Sequence, residues 1–170
     1  MMQRPSDQRP SDQRRMSERL QLIAPHSYRS DPAVPAFPDD KAVIVFDGVC
    51  GLCSGFVRFV AARDRPRQFR FIAAQSPLGQ ALFRHYGLDP VNYESNLLIA
   101  DGRVTVKMDA VVGIASRLGG IWRLGKVFGY LPGRLADRMY EAIARNRYRW
   151  FGKFDQCIRP DASWRDRVIE

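Results

Sequence analysis

Residues 43–56 read Val-Ile-Val-Phe-Asp-Gly-Val-Cys-Gly-Leu-Cys-Ser-Gly-Phe. An apolar, β-branched run ends at Asp47, two glycines bracket a turn, and two cysteines follow three residues apart. A continuous apolar run of this length suits a buried central strand. The residues after it, with Phe56, Val57, Phe59 and Val60 at helical spacing, predict a helix over about 50–63. Cys50 and Cys53 therefore fall at a strand-to-helix turn, at the start of the helix.

Working outward, Phe69-Arg-Phe-Ile-Ala73 alternates as a second strand. Ser76-Pro77 is a helix-start signal, and Gly87 closes that helix as a left-handed cap. Asn96–Ala100 and Val104–Lys107 flank Asp101-Gly102, the dipeptide that favours a two-residue hairpin turn. A third helix is expected from about Asp109, read as its cap, to Leu118. The order β-α-β-α-β-β-α makes the first two strands parallel through a right-handed crossover and adds an antiparallel hairpin. The expected fold is α/β and thioredoxin-like, a four-stranded mixed sheet flanked by helices. Beyond Gly120 lies a C-terminal helical extension, 121–155. It has an apolar segment over 121–131 and a basic helix over 134–151.

Composition sets outer limits. The chain has 170 residues, three cysteines and a net charge of +9. Residues 1–40 balance six Arg against six acids, so the basic excess begins at Lys41. No helix-turn-helix, zinc-finger or RNP pattern directs that charge to nucleic acid, so no specific nucleic-acid partner is expected. Contact of the extension with an anionic membrane surface ranks behind packing against the sheet, because the sheet needs covering. An odd, sparse cysteine count does not fit a disulfide-stapled secreted domain, and no apolar leader region opens the sequence. A reducing cytoplasm is the expected location. Residues 3–12 repeat QRPSD twice, and Pro25, Pro32, Pro35 and Pro38 follow. Residues 1–40 therefore read as a disordered arm and extended linker, 41–160 as the domain, and 161–170 as a tail.

Cysteines at i and i+3 across a helix start have Cα atoms about 5 Å apart, inside the range a disulfide spans. Unpaired helix N–H groups and the positive dipole end favour a thiolate. Cys50, nearest that end and expected to be the more exposed, is the candidate nucleophile; Cys53 is the candidate resolving thiol. Asp47 either moves the Cys53 proton or bonds the turn's own N–H groups, and the second role is preferred because a carboxylate beside Cys50 opposes thiolate formation. A zinc site would need more ligands than the isolated Cys157, His85 and His26 supply. A phosphatase DxD pair fails because position 49 is Val49.

The stretch FDGVCGLCSGFVRFV, with Asp47, Cys50 and Cys53 in an Asp-x-x-Cys-x-x-Cys pattern, resembles the DCC family of thiol-disulfide oxidoreductases. FRFIAAQS (69–76), the Asp-Gly hairpin and RNRYRWFGKFDQC (145–157) extend the resemblance over about 42–160. It implies a thioredoxin-like fold and a dithiol activity without a bound cofactor or metal. Implied partners are a protein or small-molecule disulfide or thiol and a recycling reductant or oxidant. Thioredoxins place a cis-proline before the third strand. Tyr93-Glu-Ser-Asn96 has none, so either Glu94 or Ser95 fills that position or substrates are held differently; Gly51, Leu52, Glu94 and Ser95 are the candidate substrate-binding residues. Cys157 is a third thiol, read as structural before redox. The alternative function is a non-catalytic binding or adaptor module that keeps the cysteines as structural or metal-binding residues.

Overall fold

A computed structural model describes residues 10–91, 93, 96–122, 133–154, 160 and 162–169. The apolar run becomes strand β1, Ala42–Phe46, with all five residues buried. Helix α2 spans Gly51–Arg63 and strand β2 spans Phe69–Ala73. β2 pairs parallel to β1, with Ile44 opposite Phe71. Helix α3 (Pro77–His85) starts as its sequence predicts: the Ser76 hydroxyl accepts from the Gly79 N–H at 3.1 Å. Strands β3 (Leu97–Ala100) and β4 (Arg103–Val106) form the antiparallel hairpin. Asp101 and Gly102 both have positive φ, 53° and 73°, the geometry of a primed hairpin turn. Helix α4 is Lys107–Leu118, starting two residues before the expected cap. Val106 precedes it without a side-chain cap, and Asp109 lies in its first turn.

Among the described residues, Val168–Ile169 forms a further strand, β5, and the sheet has five strands in the order β4-β3-β1-β2-β5, one more than the sequence suggested. β5 pairs parallel to β2. It lies in the segment read as a tail, because two residues are too few to show a period. Trp164 anchors the same segment, 2 % exposed and edge-on to Phe71 at 5.4 Å.

Strand alternation divides the core. Val43, Val45, Ile72, Leu97 and Ile99 face α3, while Ile44, Phe46, Phe71 and Leu98 face α2 and α4. Each such buried side chain contributes roughly 1.5–3 kcal/mol. The first face also receives the region read as an arm. Helix α1, Pro10–Gln21, delivers Leu20, and Tyr28 and Val34 follow it into the core. The disorder expected over residues 1–40 therefore does not hold for the described part. A few widely spaced apolar residues suffice when a sheet face is open to cover. Hydrogen bonds hold the segment down: Arg19 to the Tyr86 carbonyl, the His26 N–H to the Gly102 carbonyl at 2.9 Å, and the side chains of Ser27 and Asp31 to the His85 ring.

Helix α5, Gly133–Phe151, packs against α2 and α4 at the carboxyl end of β1. The apolar segment expected over 121–131 falls mostly outside the described residues. Among the described residues, no helix is long and apolar enough to cross a membrane.

Candidate active site

β1 delivers Asp47 to the turn, and α2 begins immediately after Cys50. Cys50 is the N-cap, with extended backbone (φ −84°, ψ 121°), and its sulfur accepts the Cys53 N–H at 3.3 Å. Sulfur here takes the place that Ser or Asp oxygen usually holds at a helix start. The Ser54 hydroxyl bonds the Gly48 carbonyl, and the Gln75 side chain accepts from the Gly48 N–H at 3.0 Å. The turn is thus held from inside the helix and from the end of β2. Both thiols are free and unbridged.

The electrostatics separate the two sulfurs. The Cys50 pKa is pulled down to about 6, chiefly by the hydrogen bond from the Cys53 thiol, with the Cys53 N–H and the Arg147 charge adding to it. Asp47 opposes this shift, as the sequence reading argued. Cys53 moves strongly upward, because it donates to Cys50 and is buried. One proton is shared unequally, and Cys50 holds the negative charge.

Asp47 is 1 % exposed and accepts four hydrogen bonds. Its Oδ1 receives the Val49 N–H at 3.2 Å, an Asx turn, and Gln75 Nε2 at 2.7 Å. Its Oδ2 receives the Tyr148 hydroxyl and Arg147 Nη2, the latter at 3.4 Å. Arg147 also donates to the Tyr93 carbonyl at 3.2 Å. The carboxylate thereby ties the dithiol turn to α5.

The end of α5 then runs over the turn. The Gly51 N–H donates to the Gly152 carbonyl at 3.2 Å, the Phe154 N–H donates to the Val49 carbonyl at 2.8 Å, and Lys153 bridges to Cys50 in antiparallel fashion. Gly152 turns the chain with φ 78°. A Cβ on Gly51 would lie 2.1 Å from the Phe151 carbonyl oxygen, so glycine is required there by the protein's own strap. The expected exposure order is consequently reversed: Cys50 is 0 % exposed and Cys53 7 %. Helix geometry alone carries no sign of the strap, whose residues lie about a hundred positions downstream.

Among the sequence candidates, Asp47, Cys50, Gly51, Leu52 and Cys53 come together here. Glu94, Ser95 and Cys157 lie outside the described residues. His85 and His26 are engaged elsewhere, with Asp31 at 2.6 Å and Tyr28 at 3.1 Å. Among the described residues, no group of three or more His, Cys, Asp or Glu could hold a metal. Gln75, Arg147 and Tyr148 were not singled out in the sequence. Their signal was present in FRFIAAQS and RNRYRWFGKFDQC, the two downstream segments that carry the family resemblance.

Comparison with known proteins agrees with this geometry. A family model described as DCC1-like thiol-disulfide oxidoreductase matches residues 44–153, a span from β1 to the strap. The uncharacterized protein YuxK of Bacillus subtilis is 39 % identical over 127 residues, covering 75 % of this chain and 93 % of that protein. A chloroplastic DCC family protein of Arabidopsis thaliana is 37 % identical over 120 residues, 70 % of each chain. No solved structure matches.

Proposed function

Because the chain belongs to the DCC1-like thiol-disulfide oxidoreductase family, we propose that it cycles a Cys50/Cys53 dithiol against a protein or small-molecule disulfide. The observation that supports this reading most is the N-cap sulfur of Cys50, which receives the Cys53 N–H and sits in the field of Arg147. The Cys50 thiolate attacks one substrate sulfur, and the other substrate sulfur leaves with the electron pair and takes a proton. The mixed disulfide no longer carries the Cys50 charge, which was a main cause of the high Cys53 pKa. Cys53 then ionises more readily, attacks the Cys50 sulfur and releases the second substrate thiolate. Substrate is reduced by two electrons, and the protein is left with a Cys50–Cys53 disulfide.

In this scheme Asp47, with four donors on its two oxygens, anchors the turn. Substrate reaches Cys50 when the strap over it yields. The sparse, odd cysteine count suits a reducing compartment, and the cytoplasm is the proposed location.

Trapping tests the roles. Cys53→Ser should accumulate mixed disulfides on Cys50, whereas Cys50→Ser should accumulate none; trapping by both variants, or by neither, defeats the assignment. A protein whose two thiols never oxidise reversibly to a disulfide would instead act as a non-catalytic scaffold.

The pH dependence follows from the same charge. Thiolate absorbance of the reduced protein should rise with a midpoint near pH 6, against about 8.5 for an ordinary cysteine. Since the folded value lies below the unfolded one, ionisation of Cys50 stabilises the reduced fold. That contribution is complete above about pH 8.5 and disappears as pH falls through about 6. Above about pH 8.5 the raised Cys53 value acts in the opposite sense. Denaturation of the reduced protein between pH 5 and 8 measures the rise, and a flat profile would count against a Cys50 thiolate.

A further inference from the structure

The two sulfurs have different surroundings. Cys50 is closed off beneath the Gly152–Phe154 strap, whereas Cys53 lines a cavity of about 210 Å³ between α2, α4 and α5. The walls are Leu52, Phe56, Met108, Val111 and Ile143. Ile143 is also 39 % exposed, so the cavity opens to solvent beside it. Two of the polar side chains on its lining, Tyr140 and Arg147, already have bonds within the protein. The Tyr140 hydroxyl accepts the Asn96 N–H at 3.2 Å, and Arg147 is held by Asp47, Tyr148 and the Tyr93 carbonyl. The space therefore favours an apolar occupant. A cavity of roughly 150 Å³ lined by apolar side chains takes up benzene, so this one has room for a ring and a short arm.

The proposed cycle leaves a Cys50–Cys53 disulfide, and two electrons must return before the next turnover. We propose that a low-molecular-weight apolar thiol supplies them from this cavity by attacking Cys53, the cysteine that lines it. This inference rests on the dithiol cycle proposed above. The incoming thiolate forms a bond to the Cys53 sulfur, the Cys50–Cys53 bond breaks, and the electron pair leaves on Cys50. A second thiolate, entering from the mouth, attacks the bound thiol's sulfur. It forms a small-molecule disulfide and releases Cys53, which takes up a proton. Two thiols become one disulfide, and the protein disulfide becomes a dithiol.

Leaving-group chemistry favours the same direction. Cys50 is the sulfur that the helix start and Arg147 stabilise as a thiolate, and a thiol of lower pKa both departs faster and attacks back more slowly. Access agrees with it. A protein reductant directed at Cys50 must first lift the strap, whereas a small apolar thiol meets Cys53 through an existing opening.

The test uses the full chain in its oxidised form, with phenylmethanethiol as the apolar probe and 2-mercaptoethanol as the polar one. Rates are compared per thiolate, and acid-quenched samples are mapped by mass spectrometry. Phenylmethanethiol should reduce the protein about tenfold faster or more, since burial of its ring in the cavity favours the encounter, and its adduct should sit on Cys53. Val111→Phe, which fills the cavity, should bring the ratio of the two rates towards one; Ala144→Leu serves if that variant does not fold. An adduct on Cys50, a wild-type ratio near one, or a ratio unchanged by filling the cavity overturns the inference. The rate ratio decides even if no adduct accumulates. Failure to form the Cys50–Cys53 disulfide at the outset sinks the dithiol cycle itself. An adduct on Cys50 removes only the route through the cavity.

Discussion

Helix α2 is pinned at each end by a buried aspartate that takes backbone N–H groups and an arginine from the C-terminal part of the chain. At its far end, Asp64 accepts the Gln68 and Phe69 N–H groups at 3.1 and 3.0 Å, and Arg167 Nη1 at 3.0 Å. Arg167 also reaches the Ala61 carbonyl at 2.8 Å. At the dithiol end, Asp47 holds Arg147 at the longer distance of 3.4 Å and divides its oxygens among the Val49 N–H and the side chains of Gln75, Tyr148 and Arg147. The far clamp joins backbone to backbone through a tight ion pair and fastens β5 against the sheet. The near clamp is looser and made mostly of side chains, and its arginine also acts on a sulfur. The same pair of residue types thus locks the fold at one end and sets a charge at the other.

Breaking each clamp should separate these roles. Arg167→Ala leaves Asp64 buried without its cation and should cost about 3–5 kcal/mol in urea denaturation, with the Cys50 titration midpoint unchanged. Arg147→Ala should cost less stability, because Tyr148 and Gln75 still serve Asp47, but should raise the Cys50 midpoint. A shift of that midpoint by Arg167→Ala, or none by Arg147→Ala, would erase the distinction. Tyr148→Phe removes one hydroxyl donor to a carboxylate, which typically costs about 1.5–3 kcal/mol. Thermal denaturation of the reduced protein measures it, and a neutral result would mean that Tyr148 only packs.

The smallest expected effect on stability comes from the strap. Gly51→Ala drives a methyl group into the Phe151 carbonyl and should cost about 1–3 kcal/mol, as overpacking does. Its sharper readout is chemical: with the strap displaced, alkylation of Cys50 should accelerate relative to Cys53. Unchanged alkylation would show that the strap does not govern access to Cys50.

How much of this was legible depends on sequence distance. β1, α2, β2, α3 and the hairpin each carry a local period or turn signal, so the sheet around the dithiol could be assembled from residues 42–118. Asp47, Cys50 and Cys53 share one short motif and were found together. Arg147 and Arg167 were not, because an ion pair across about a hundred residues leaves no local pattern, and both arginines pass for basic surface. Leu20 and Tyr28 were hidden for a related reason: the apolar residues around them show no sustained period in polar, proline-containing surroundings, and only the open sheet face gives them a place.

The clamp on Asp47 also has a consequence in time. Its arginine lies 100 residues after it in the chain, and the strap follows the arginine. At about 5–20 residues per second of synthesis, the turn bearing Cys50 waits on the order of 5–20 s before either is made. During that interval the cysteine pair lacks both the charge that tunes it and the cover that shields it. The nascent chain therefore presents a more open and less acidic thiol than the finished protein, and oxidants meet the two forms differently.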